Sequence, residues 1–271
     1  MRLILFCLIL FHSVVAFAGQ KAVFLAADLG YFHYRETEHD STLDKEYGFL
    51  PGFFCSGSFP FRGLILSGSF SFSYTGSATY DGQTQGGLPL KQGGQREIIW
   101  HIEASAGRAF ELAARWGMLE FIPYAGIGYR QWIRGQSGAG DYEEKYTWFY
   151  VPVGFSLLPE DLPHSYSIGL DFSLLFPFSA HMKAYLSDVD PAMEDVRFDL
   201  PSHPGFRVRL PISYRLSETK RLQLVPSYTY WSFGQSETNL IHIQGGYSMY
   251  AWEPESETHR FQVFLGIVLL F

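Results

Sequence analysis

Between Leu64 and Tyr80 the chain changes character at every step. Leu64, Leu66, Gly68, Phe70, Phe72 and Tyr74 hold one parity; Ser67, Ser69, Ser71, Ser73 and Thr75 hold the other. A helix would scatter both sets around its circumference, whereas a strand sends successive side chains to opposite faces. The pattern predicts a long strand with one apolar and one hydroxyl face. The same rhythm places Val23, Leu25, Leu29 and Tyr31 opposite Asp28, and Ile98, Trp100 and Ile102 opposite Glu97, His101 and Glu103. It recurs with Ile168, Leu170, Phe172 and Leu174 around Asp171 and Ser173, and with Phe206, Val208 and Leu210 around Arg207 and Arg209.

Ten such segments are expected, at 22–34, 47–59, 63–80, 96–112, 118–134, 146–158, 165–184, 205–216, 221–233 and 258–271. The connections alternate. Long ones fall at 35–46, 81–95, 135–145, 185–204 and 234–257, and short ones at 60–62, 113–117, 159–164 and 217–220. Long loops on one side and tight turns on the other predict an all-β fold, a closed antiparallel up-and-down transmembrane β-barrel of ten strands. Segments this long suffice for a tilted crossing of the bilayer, which takes ~9–11 residues. Eight or twelve strands are the alternatives, because Leu240, Ile241, Ile243, Tyr247, Tyr250 and Trp252 in the fifth long connection read as a hairpin of their own. Pro51, Pro123, Pro152, Pro177, Pro211 and Pro226 lie inside expected strands, where bulges or register breaks should accommodate them.

Composition narrows the class. The chain is 47% hydrophobic and 18% aromatic but only 17% charged, against the ~25% usual in soluble domains. So apolar a chain can bury enough surface to fold, yet past the N-terminus it has no ~18-residue apolar run for a membrane helix. Arg2, the apolar stretch Leu3 to Val15, and Ala16-Phe17-Ala18 before Gly19 read as a signal peptide over residues 1–18, leaving residues 19–271 as the barrel. Export leaves Cys55 as the sole mature cysteine, without an internal disulfide partner; its parity with Phe49, Phe53 and Phe59 makes it apolar filler. A net charge of −7 without a basic cluster argues against nucleic acid. Tyr31, Phe32, Tyr34, Tyr80, Tyr129, Trp132, Tyr146, Trp148, Tyr228, Tyr230 and Trp231, near the loop ends of strands, are expected at the membrane–water boundary.

The final segment, Phe261-Gln262-Val263-Phe264-Leu265-Gly266-Ile267-Val268-Leu269-Leu270-Phe271, resembles the closing strand of Gram-negative outer-membrane proteins. That resemblance implies a bacterial outer-membrane location and recognition by the barrel-assembly machinery. Pro123 to Tyr129 resembles up-strands of small barrels of this kind, and the strand number resembles the omptin proteases. The omptin catalytic pattern, an acidic pair in one loop and Asp-x-His in another, is absent. The 81–95 connection holds Asp81 alone, and two positions before His203 stands Pro201. His164-Ser165 falls in a short turn and His12-Ser13 in the signal, so the His/Ser spacing of outer-membrane lipid hydrolases is not placed for catalysis. No catalytic residue, resident metal or cofactor is assigned.

Two charge groupings remain. Asp188, Asp190, Glu194 and Asp195 form a candidate loop cation site, since loop carboxylates facing anionic lipopolysaccharide invite a bridging divalent ion. The acids of the first connection, Glu36, Glu38, Asp40, Asp44 and Glu46, and of the third, Asp141, Glu143 and Glu144, read as solvated loop charge. The sharper expectation lies inside. Glu97, His101 and Glu103 on the fourth segment and Arg207, Arg209 and Arg215 on the eighth point inward from nearly opposite walls. Directly or through Asp28, Glu120, Arg130 and Asp171, they should form a lumen charge network, because unpaired buried charge is costly. The reading is thus a non-enzymatic barrel, structural or surface-binding through its outer loops, with a charge-plugged lumen. Its partners are outer-membrane lipid, lipopolysaccharide and an unspecified surface ligand. The alternatives are a narrow channel for small solutes and an outer-membrane hydrolase of unrecognised type.

Overall fold

The alternating segments become neighbouring staves of one ring. The computed structural model describes residues 21–39, 41–83, 88–114, 117–135, 142–159, 166–243 and 246–271. The staves are β1 (Ala22–Glu38), β2 (Ser41–Phe61), β3 (Leu64–Gln83), β4 (Pro89–Gly107, resumed at Phe110–Ala114) and β5 (Gly117–Gly135). They continue as β6 (Glu143–Pro159), β7 (Tyr166–Ile168 and Leu170–Ala184), β8 (Val196–Asp199, Ser202–Arg209 and Ile212–Arg215), β9 (Lys220–Phe233) and β10 (Glu255–Leu270). Each pairs antiparallel with its sequence neighbours, and β10 pairs with β1 from Ala22↔Leu270 to Thr37↔Glu255. Closure leaves the ring without a free edge, as hydrocarbon surroundings demand. The hairpin Asn239–Ile243/Tyr247–Ala251 stands apart as its own two-stranded sheet, so the ring holds ten strands.

The short turns behave as their length requires. Between Phe61 and Leu64, Arg62 and Gly63 have φ of 51° and 79°, the positive values a two-residue hairpin turn needs at both positions. The long connections do not behave as expected. Most of 35–46 and 81–95 is strand: β1 and β2 pair out to Glu38↔Ser41, and β3 and β4 out to Gln83↔Pro89. Above the membrane both faces of a strand are polar, so the alternation fades while backbone pairing continues.

The prolines are met unevenly. The β2–β3 register shifts between Tyr47 and Gly52, beside Pro51. The β6–β7 register shifts between Thr147 and Phe149, whose partner Phe178 adjoins Pro177. Pro211 separates the last two pieces of β8. Pro123 and Pro226 sit in unshifted ladders, as does Pro152.

Outside, Leu25, Leu29, Phe53, Ile127, Val153 and Leu265 are exposed and form the lipid-facing band. Tyr31, Phe49, Phe149, Phe178 and Phe261 ring its outer edge and Phe61, Phe110, Tyr166 and Tyr214 its inner edge. Cys55 sits half-buried on this outward parity, with Phe70 as its β3 partner. Inside, Ser69, Ser71, Ser73 and Thr75 are buried. The hydroxyl face therefore lines the lumen. The expected aromatic boundary needs correction. Phe32, Tyr34, Trp132, Tyr146, Trp148 and Trp231 occupy the inward parity and are buried together in the lumen's outer half.

Candidate functional site: the filled lumen

Three layers fill the barrel. The middle layer consists of charges held by partners on other strands. Glu103 on β4 receives both terminal nitrogens of Arg207 on β8, each at 2.9 Å. Tyr150 on β6 donates to the same carboxylate at 2.9 Å. Its ring crosses there because β5 offers glycine at 128, where a Cβ would lie 2.2 Å from the ring. Asp28 on β1 accepts from Arg260 at 2.9 Å, from Gln262 at 2.7 Å and from Ser73 at 3.0 Å. Asp28 and Arg260 are both 0% exposed. Charge-assisted bonds of this length are what keep such buried ions tolerable.

The expected network is assembled in part. Glu103 and Arg207 meet directly across the lumen, as inward-facing charges on strands four and eight should. His101 turns instead to Ser71, with Nδ1 to Oγ at 2.7 Å. Asp171 accepts from Tyr124 at 3.0 Å and Ser156 at 2.7 Å. The Arg130 guanidinium lies over Trp148 and Trp231, 5.4 and 5.9 Å from their centroids, and Arg209 lies 5.7 Å over Phe54. Glu120 is buried near the periplasmic end, on the rung pairing with Leu158. Glu97 is buried and accepts from the Trp132 indole. Arg215 is exposed on the Arg215↔Arg221 rung, because β8 resumes at Ile212 with the barrel almost at its end.

The aromatic layer lies above these charges. Trp148 meets Trp231 and Phe233 edge-on, with centroids 5.4 and 5.1 Å apart. Tyr34 on β1 and Tyr146 on β6, half the ring apart, bring their hydroxyls within 3.4 Å. Trp132 stacks on Tyr146 at 5.1 Å and meets Tyr34 edge-on at 4.9 Å.

The outer layer is acidic. Arg134 on β5 pairs with Glu36, Glu46 and Glu144 at 3.1, 3.0 and 3.3 Å. Its guanidinium caps the Tyr34 ring at 4.4 Å. Glu253 accepts from Tyr146 at 2.5 Å. Burial and the neighbouring Glu36 carboxylate push the Asp44 carboxyl up to about 8, against the pull of Arg134. Of the acids first read as solvated loop charge, Glu36, Asp44, Glu46 and Glu144 face the lumen instead, since their strands run on above the membrane.

The candidate loop cation site is not gathered. Asp195 is engaged by Lys183 at 3.0 Å and by Ser187 at 2.6 Å. Asp188 accepts from the Glu143 amide and Asp190 from the Ala192 amide. Among the described residues no cluster of three or more His, Cys, Asp or Glu has metal-holding geometry. Of the positions weighed against catalytic patterns, Asp81 pairs with Lys91 at 3.1 Å and His203 lies 3.4 Å from Ser232. His164-Ser165, His12-Ser13, Asp40, Asp141 and the signal segment lie outside the described residues.

Sequence reasoning missed Arg260 and Arg134. Both had a signal: Arg260 holds the parity opposite Phe261, Val263 and Leu265, and Arg134 shares the parity of Arg130.

The closed ten-strand ring can be set beside solved structures. No family model matches the sequence, and no curated protein does. The outer membrane protease OmpT from Escherichia coli superposes with a TM-score of 0.57 at 9% identity, covering 95% of this chain and 99% of that one. The chain has the fold of an outer-membrane β-barrel. AlkL, an outer membrane protein, matches 96% of this chain and 93% of its own at 11% identity and a TM-score of 0.37. OprG from Pseudomonas aeruginosa matches 96% of this chain and 98% of its own at 12% identity and 0.34. At such identities the likeness is one of fold.

Proposed function

We propose that this outer-membrane barrel is non-enzymatic and acts as a structural, surface-binding element, with its lumen closed and its outer hairpin carrying the contact. The observation that carries this reading is the Tyr34–Tyr146 contact across the lumen, flanked by charge layers on both sides. Ten strands enclose little more than the side chains that fill them. A solute path would have to part rings and ion pairs together.

The hairpin supplies the binding face. It is moored by the Met193↔Ile243 bridge and by Asn239 Nδ2 donating to the Arg197 carbonyl at 2.8 Å, with Ile241 buried beneath. Tyr247 is 76% and Tyr250 72% exposed, and Trp252 is exposed beside them. Rigid amphipathic rings held out on an anchored hairpin suit a partner with flat apolar faces and hydroxyl rims. The sugar rings of lipopolysaccharide fit that description. In biogenesis, the β10 strand ending in outward-facing Phe271 would be the element read by the barrel-assembly machinery.

The test uses the barrel in nanodiscs against purified lipopolysaccharide polysaccharide in surface plasmon resonance. Tyr247→Ala with Tyr250→Ala should weaken binding at least about tenfold while heat-modifiable gel migration stays intact. Unchanged affinity contradicts the reading.

A further inference from the structure

On the outside of the barrel, Phe149 on β6 and Phe178 on β7 stack with centroids 5.7 Å apart. Tyr129 on β5 and Trp100 on β4 extend this aromatic ladder at 5.0 and 5.2 Å. Above the rings, Lys145 on β6 stands on a rung with Lys183 on β7, and Lys183 stands on a rung with Arg197 on β8. Like charges directly opposite one another destabilise a ladder. Here three lie in a row. The row also depends on a break in the strand. Leu174, Phe176 and Phe178 hold the outward parity of β7, which alone would turn Lys183 into the lumen. Ser179, with φ of 51°, interrupts it. The β6–β7 pairing slips there, so Ala180, Met182 and Ala184 are buried within while Lys183 faces out. Re-aiming a side chain is what such an irregularity does.

The counter-charge around this row is incomplete. Lys183 pairs with Asp195 at 3.0 Å, and Arg197 with Asp199 at 3.3 Å in a pair that is 61% and 85% exposed. So exposed a pair contributes little. Lys145 has no ion pair among the described residues, and its rung neighbours are Ile133 and Lys183. The opposite wall holds as many cations at the same height but interleaves them. Arg35 shares a rung with Glu257, and Lys45 and Lys91 each share one with Asp81. Only the β6–β8 wall of these two sets cation against cation.

We infer that the outward β6–β8 wall seats a phosphate of the outer-leaflet glycolipid, the acylated and phosphorylated lipid A of lipopolysaccharide. A phosphate monoester carries about −1.5 to −2 at neutral pH, the anion that Lys145, Lys183 and Arg197 lack. Adjacent strands lie ~4.8 Å apart, so three long side chains can converge on one such group. On a tilted strand, four residues beyond Phe149 put Lys145 roughly 10 Å above that ring. That is the depth of headgroups, not of hydrocarbon. The acyl chains then run down the same wall past Phe149 and Phe178 to Ile127, Val153 and Leu174, all exposed to lipid. This seat lies on the barrel wall and does not rest on the hairpin.

The experiment titrates bis-phosphorylated lipid A into the full barrel in detergent and counts retained lipid by native mass spectrometry. Lipid A stripped of its phosphates, and phosphatidylglycerol, serve as the comparison lipids. Retention of lipid A at least about tenfold tighter than either supports the seat. Equal binding of dephosphorylated lipid A, or of phosphatidylglycerol, overturns it. Lys145→Gln with Lys183→Gln should weaken lipid A about tenfold or more, because each cation near an anionic lipid surface adds to the attraction. Lys45→Gln, which removes a cation from the opposite wall, should leave the affinity unchanged. Unchanged affinity in the double variant, or an equal loss in Lys45→Gln, overturns the seat. Each variant is compared as protein that keeps its heat-modifiable migration, and should the double variant fail to fold, the wild-type selectivity decides. Tyr247→Ala with Tyr250→Ala should leave lipid A retention unchanged, which separates this seat from the surface reading.

Discussion

The middle and outer layers of the lumen handle buried charge in opposite ways. In the middle, Asp28 has Arg260, and Glu103 has Arg207, with Arg130 and Asp171 held by rings and hydroxyls. In the outer layer, Arg134 is shared among Glu36, Glu46 and Glu144, with Asp44 and Glu253 close by. Bilayer-level charge is compensated by fixed opposite charge, because neither protons nor ions reach it readily. Charge above the membrane can be compensated by protons exchanged with the medium. The difference teaches that the two layers should fail differently.

The largest effect falls on the middle layer. Arg260→Ala strands the Asp28 carboxylate at 0% exposure and should cost about 3–5 kcal/mol, read as a lowered urea midpoint or loss of the folded, heat-modifiable form. Arg134→Ala should cost less, about 1–3 kcal/mol at pH 8. An equal cost in both variants would erase the contrast between the layers.

Asp44 sharpens the point. Its folded value near 8 lies above the usual carboxyl range, so the folded state holds a proton that the unfolded chain has released. Stability is then fully present below about pH 4 for this group and declines as pH rises through about 8. Asp44→Asn should flatten that slope in urea melts between pH 5 and 9. An unaltered slope would assign it elsewhere. The smallest effect belongs to the lipid face, where Cys55→Ala should change stability by less than about 0.5 kcal/mol in the same assay.

The ring itself was legible because lipid enforces a strict period of two on every membrane-crossing segment. The Leu64–Tyr80 pattern alone announces which face meets hydrocarbon, and the parity of strands four and eight points their charges inward from nearly opposite walls, without saying that Glu103 and Arg207 are the two that meet. The outer layer was not legible in the same way. Once β1 and β2 clear the membrane, no apolar face marks the parity of Glu36, Asp44 and Glu46, so strand and loop look alike. The aromatics misled for a related reason. Tyr31 and Phe32 differ by one position, yet one meets lipid and the other the lumen; proximity to a strand end carries less information than parity. Arg215 shows the converse, since its parity was right but the barrel ends before it can be enclosed.

Single-channel recording in planar bilayers tests the closed lumen most directly. Wild-type protein should show no openings at moderate voltage and salt, whereas replacing Tyr34, Trp132 and Tyr146 together by alanine, in protein that still migrates as a folded barrel, should produce discrete openings. Steady conductance from the wild type, unchanged by those substitutions, would contradict the account.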